Sequence, residues 1–171
     1  MNEWLYENND DNSSRYLLGT KGEKTLFVFG INPSSAEPNN PDSTIMKVQK
    51  IANNNGYDSW IMLNVYPKRE TIFEKLNDLQ NNDEHIKNLQ IIINEVAKHK
   101  QVDVWAAFGD HLFDRDYLVT FWKDIYTHLS DFKINWLSGM VNKSGTPRHP
   151  LYQKDDIELS VFDMDTFVKG L

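Results

Sequence analysis

Residues 26–44 read LFVFGINPSSAEPNNPDST. An apolar run stops at Gly30. A stiff polar loop follows, carrying Pro33, Pro38, Pro41, two serines and the acids Glu37 and Asp42. A helical pattern then begins: in STIMKVQKIANNNG (43–56), Ile45, Val48, Ile51 and Ala52 share one face. Asp42 or Ser43 can cap its start and Gly56 can end it. A strand is thus delivered to a helix through a loop longer than such a connection needs. The excess marks the loop as a candidate site.

The same alternation continues outward. TLFVF (25–29), WIMLNV (60–65), VDVWAAF (102–108) and INWLS (134–138) are nearly continuous apolar runs. That pattern predicts strands covered on both faces. NDEHIKNLQIIINEVAKHK (82–100) predicts a helix with a stripe of Ile86, Leu89, Ile93, Val96 and Ala97, capped by Asn82 or Asp83, with acids in its first turn and bases in its last. DYLVTFWKDIYTHL (116–129) predicts another, with Leu118, Phe121, Trp122, Ile125 and Leu129 at helical spacing. Alternating strands and helices predict an α/β fold: a three-layer αβα sandwich around a mainly parallel four-stranded central sheet. RYLLG (15–19) is expected to add an antiparallel strand through the turn TKGEK, and IELSVF (157–162) an edge strand. One domain is expected over residues 1–171, with 1–14 as a flexible N-terminal segment, because NNDDNSS (8–14) is the most disorder-like stretch.

Composition removes several functions. Cysteine is absent among the 171 residues, which excludes disulfides, thiol catalysis and thiolate metal sites. The five histidines are scattered, so no metal and no cofactor are expected. GTKGEKT (19–25) is no phosphate loop: its Gly and Lys are not adjacent, and it precedes a strand rather than following one. The formal net charge of −7 opposes non-specific nucleic-acid binding unless basic side chains gather in one groove. No apolar run is long enough to span a bilayer, and the acidic start MNEWLYENNDDNSSRY is no secretory signal. A cytoplasmic location with no membrane partner is expected. The oligomeric state is left open.

In open α/β sheets, ligands gather beyond the carboxyl ends of the strands. Here those ends run into GINPSSAEPNNPD, YPKRE, GDH and GMVNKSGTPRHPLY. From the first come Gly30, Ile31, Asn32, Pro33, Ser34 and Ser35 as ligand-binding candidates, with Asn32 able to hold a water or a base edge. Asp42 is a helix cap that can also serve catalysis. The second strand offers Asn64 at its end, then Lys68 and Arg69. In GDH, Asp110 is expected as the N-cap of a short helix, with His111 in its first turn. The fourth loop offers Lys143, Arg148, His149 and Tyr152. Pro147 and Pro150 restrict where His149 points, Arg148 suits an anion, and Tyr152 can stack on a flat ligand.

These motifs resemble a family of bacterial and phage proteins grouped as domain of unknown function 1643. The resemblance rests on RYLLG, FGINPSSAEPNNPDSTI, GYDSWIMLNVYPKRET and GTPRHPLY, in that order, from residue 15 to about 152. The chain departs at Ser43, where that family usually has proline, and at Tyr66–Pro67. More remotely, GINPS, WIMLNVYPKRE and PRHPLY are similar to three motifs of uracil-DNA glycosylases, although Ser34 stands where those enzymes keep glycine. This second resemblance implies a uracil-DNA-glycosylase-like fold and action on a nucleobase, nucleotide or nucleic acid flipped into a pocket. It implies that Asn32 positions a water for attack at the sugar C1′, with Lys143, Arg148 and His149 gripping phosphates or the departing base. Two other readings stand beside it. One is a small-molecule hydrolase or transferase using Asp42 or Glu37 with His149; the other is a non-catalytic interaction module.

Overall fold

The computed structural model describes residues 3–76 and 80–171. Strands β1 (Trp4–Asn8), β2 (Arg15–Thr20), β3 (Thr25–Gly30), β4 (Ser59–Asn64), β5 (Val102–Ala106), β6 (Ile134–Ser138) and β7 (Ser160–Val161) form one mixed sheet in the order β1-β2-β4-β3-β5-β6-β7. Helices α1 (Ser43–Asn54), α2 (Asn82–Val96), α3 (Asp116–Leu129) and α4 (Met164–Lys169) pack on it. The expected parallel strands are present as β4, β3, β5 and β6. The sheet is wider than expected, because antiparallel strands extend it on both sides. β7 is the expected edge strand, reduced to two residues.

β3 sits at the centre, with β4 on one edge and β5 on the other. No edge is left for a hairpin through TKGEK. β2 therefore pairs with β4, placing Leu18 opposite Met62 and Gly19 opposite Ile61. Along β3 the side chains alternate between two cores. Leu26 and Val28 pack under α1 with Trp60, Met62 and Trp105. Phe27 and Phe29 pack with the residues of α2 and α3. Cover on both faces is why these strands read as unbroken apolar runs.

The helices bear out the periodicity unevenly. In α1 the four expected residues are buried, Asp42 caps by accepting the Ile45 N–H at 2.9 Å, and Gly56 follows the helix at φ +78°. In α3 all five expected residues are buried, and Trp122 meets Phe29 edge-on at 5.3 Å. In α2 the face is turned. Its cap is Asn81, Ile86 is 62% exposed, and no base lies in its last turn. The buried face instead holds His85 and Asn88 beside Leu89, Ile92 and Val96. Asn88 donates to the Asn64 carbonyl at 2.9 Å, and His85 stacks on Phe121 with its Nε2 2.6 Å from Asp124. Polar residues on the inner face, His85, Asn88 and Glu95, hid the true stripe.

The expectation of a flexible 1–14 segment is corrected from residue 4 onward. β1 pairs antiparallel with β2. The polar stretch after it is a built turn: Asn9 N–H donates to the Ser14 carbonyl, Ser14 N–H to Asn9 Oδ1, and Asn12 takes φ +57°. Asparagine tolerates that conformation. Among the described residues, no helix is long and apolar enough to cross a membrane.

Candidate functional site

A cavity of about 420 Å³ opens at the carboxyl ends of β3 and β4, between the start of α1 and the segment 149–152. Its size is that of a small-molecule site. From the loop after β3 it takes Gly30, Ile31, Asn32, Pro33, Ser34 and Ser35. Asp42 enters from the cap of α1, and His149 and Tyr152 from the opposite wall. The two walls expected from chain order face one space.

The loop 30–42 is long because it is braced at several points. Asn32 Nδ2 donates to the carbonyls of Glu70 (3.0 Å), Pro33 (3.2 Å) and Lys68 (3.3 Å). Three carbonyls around one atom fix it as the nitrogen. Among the described residues no donor reaches Asn32 Oδ1, so that oxygen is what the amide can offer the cavity. Arg69 clamps the same loop from the other side, donating to the carbonyls of Ser34 and Ala36 and to the Tyr6 hydroxyl. Ser34 Oγ and Thr71 Oγ1 share a hydrogen bond of 2.8 Å. At the loop tip, Glu37 and Asn40 exchange main-chain hydrogen bonds, and Trp4 Nε1 donates to Asn39 Oδ1. The N-terminal strand is therefore a brace of the site.

His149 is placed by its neighbours. Gly109, at φ +69°, passes so close that a Cβ there would stand 3.3 Å from the His149 Cβ. Pro150 starts a 3-10 turn over Pro150–Tyr152, and His149 Nδ1 accepts the Leu151 N–H at 3.3 Å. An Nδ1 that accepts leaves the proton of the neutral ring on Nε2. Burial, with a smaller push from His111 and an opposing pull from Asp42, lowers its pKa to about 4. The ring is neutral at pH 7. Tyr152 is 73% exposed, with its ring 6.0 Å from that of His149.

This depression has a consequence for stability. Between about pH 6.5 and about 4, the unfolded chain binds a proton at His149 that the folded chain refuses. Stability must therefore fall as the pH drops through that window and level off below it. A shift of this size, discounted for partial solvation, is about 2 kcal/mol. Urea unfolding at pH 7 and pH 4.5 should show wild type losing about that much more than His149→Gln. A ring proton titrating near 6.5 by NMR would contradict the burial argument.

Four candidates lie elsewhere. Asn64 is 1% exposed behind Gly30, and neither amide atom has a partner among the described residues. Arg69 is spent on loop carbonyls, as described. Lys143 is exposed on its loop, away from the cavity residues. Arg148 donates to Asn142 Oδ1 at 2.9 Å and reaches Met140 Sδ at 3.7 Å. Nor does Asp110 cap: Gly109 holds that position. The Asp110 carboxylate instead accepts from Asn142, Ser144 and Thr146, which hold its pKa below the usual range and tie two loops together.

Among the cavity residues that the sequence does not single out, Arg15 is the buried cation, 2% exposed. In the sequence it looked like the first residue of a strand. The pairing of β1 with β2 shows why it turns inward: Glu7 lies opposite Leu17 and Asn8 opposite Arg15, so Tyr16 is extra. Such a bulge re-aims a side chain. Tyr16 bonds Glu84 of α2 and Leu17 packs in the α2–α3 core, while Arg15 joins Met62 and Ile45 on the other face. His111 also lines the cavity, with its Nδ1 2.7 Å from Asp114.

Fold and cavity together define an α/β protein with a ligand-sized site built from loops at the carboxyl ends of parallel strands. The chain belongs to the family described as "Protein of unknown function (DUF1643)", whose model matches residues 15–151. The matched span starts at Arg15 and includes both walls of the cavity as far as Leu151. No curated protein and no solved structure matches the chain.

Proposed function

We propose that the cavity binds a nucleobase-containing ligand and hydrolyses its N-glycosidic bond. The observation that carries the reading is Asn32. Its nitrogen is held by three carbonyls, so its free oxygen is oriented before any ligand arrives. A preorganised acceptor of this kind holds a water at little further cost. In the proposed step, the water oxygen bonds to C1′ as the C1′–N bond breaks. The bonding pair leaves with the base, and the water proton passes to Asp42. His149 Nε2–H donates a hydrogen bond to the departing base. The likeness of the short motifs GINPS, WIMLNVYPKRE and PRHPLY to those of uracil-DNA glycosylases supports the same chemistry. Asp42 and His149 line the same cavity, which also favours a second reading as a hydrolase or transferase of another small substrate.

The test is base release from nucleosides, nucleotides and uracil- or damage-containing oligonucleotides. Asn32→Ala should lower turnover by roughly 10²-fold or more, and His149→Ala by roughly tenfold to 10²-fold. Turnover unchanged in both variants removes these residues from the chemistry. No release from any substrate removes the hydrolytic reading.

A further inference from the structure

Arg15 is a buried cation with almost nothing to hold it. Its Nη1 donates to the Ala36 carbonyl at 3.2 Å, and its Nε is buried without a partner. Among the described residues, no carboxylate oxygen lies within 4.0 Å of its guanidinium. Asp42 attracts it from across the cavity, while Arg69, bonded to the same Ala36 carbonyl, repels it. Burial and that repulsion push its pKa down to about 10. A guanidinium left this way is costly to the fold, and a bulge in β2 is what puts it there.

The start of α1 lies on the same cavity. Ser43 and Thr44 line it, and their main-chain N–H groups find no acceptor among the described residues. Asp42 spends one carboxylate oxygen on the next N–H, that of Ile45. Unsatisfied N–H groups at the positive end of a twelve-residue helix favour an anion. Cation and helix end converge on a space that elsewhere offers an amide oxygen and an exposed tyrosine.

We infer that Arg15 and the N-terminus of α1 form a phosphate subsite, so that the ligand is a free nucleoside monophosphate. This rests on the nucleobase reading above and narrows its substrate class. A nucleic-acid strand needs a basic track, and the candidates for one are dispersed. Lys143 and Arg148 do not line the cavity, and Lys68 donates to Ser13 Oγ at 3.1 Å. The net charge of −7 opposes a polyanion but not a single phosphate held beside a buried cation.

The experiment is calorimetric titration of wild type, Arg15→Met and Arg15→Lys with adenosine, guanosine, cytidine and uridine monophosphates. The arms are the four nucleosides, inorganic phosphate and a short single-stranded oligonucleotide. At least one monophosphate should bind wild type more tightly than its nucleoside, and roughly tenfold or more weakly to Arg15→Met, with Arg15→Lys between. Nucleoside binding should be the same in all three proteins. Arg15→Met should unfold at the same or higher urea concentration than wild type, because it removes an unpaired charge; a merely structural arginine would lower it. Were that variant not to fold, the Arg15 Nε–H resonance of wild type should shift on adding the monophosphate and stay put with the nucleoside. Equal affinity in wild type and Arg15→Met, no binding of any monophosphate, or tighter Arg15-dependent binding of the oligonucleotide overturns the inference. Arg15-dependent binding without base release removes the hydrolytic reading alone. Base release from a monophosphate that ignores Arg15→Met removes the phosphate subsite alone.

Discussion

Asn32→Asp is expected to destabilise the protein at neutral pH by about 3–5 kcal/mol, more than Asn32→Ala. The two substitutions remove the same hydrogen bonds, so the difference isolates charge. In wild type the Asn32 Nδ2 sits 3.0–3.3 Å from the carbonyls of Glu70, Pro33 and Lys68. Aspartate puts a carboxylate oxygen there, facing three partial negative charges with no proton to share. Alanine only leaves the carbonyls short of a donor, costing about 1–3 kcal/mol. The aspartate cannot simply turn, because its other oxygen would then take the same place. Protonation supplies the missing donor, so the introduced carboxyl must titrate well above the ordinary carboxylate range. Its penalty should shrink as the pH falls toward 5, whereas the alanine penalty stays flat. Urea unfolding of the three proteins at pH 7.5 and pH 5 reads this directly. An aspartate variant no worse than alanine at pH 7.5 would mean that the amide nitrogen is not what faces those carbonyls.

That result bears on how far the site was legible. Asn32 stood out because it lies between a glycine and a proline at the end of an apolar strand, all local signals. Its partners could not be read, since Lys68 and Glu70 reach it only because β4 lies beside β3. The same boundary runs through the fold. The start of α1 was legible because Asp42 and the apolar spacing after it are neighbours in sequence. The face of α2 was not, because His85 and Asn88 are buried through bonds to Asp124 and Asn64, which no periodicity encodes. The cavity walls emerged from chain order, because parallel strands put their following loops at one end. Arg15 did not emerge: its direction depends on a mismatch between β1 and β2, visible only when the two are paired. The stretch NNDDNSS was misread for a related reason. Residues that favour turns look disordered in composition until their acceptors are known.

Gly19→Ala should cost about 2–4 kcal/mol, and it should disturb the cavity as well as the sheet. A Cβ on Gly19 would stand 2.5 Å from the Trp60 carbonyl oxygen and 2.9 Å from the Ile61 Cα. Both are main-chain atoms of β4, so no rotamer change relieves the overlap. β2 must move away from β4. The two strands are joined at Leu18–Met62 and Gly19–Ile61, and Arg15 lies on the same strand, four residues before Gly19. Its N–H donates to the Pro67 carbonyl at 2.9 Å, so the strand's approach to β4 and to the loop after it sets where the guanidinium stands. Parting the strands therefore withdraws the cation from the cavity without altering any residue that lines it. Gly30→Ala is the control. Its Cβ would also stand too close, at 2.6 Å from the Met62 Cε and 3.0 Å from the Asn64 Oδ1, but both atoms end side chains. That methionine can turn aside, so the stability loss should be under about half that of Gly19→Ala. Thermal unfolding ranks the pair, and monophosphate titration of Gly19→Ala reads the coupling. Unchanged stability in Gly19→Ala would mean that β2 and β4 are not held at this separation; lost stability with undiminished monophosphate affinity would mean that Arg15 does not owe its position to the pairing.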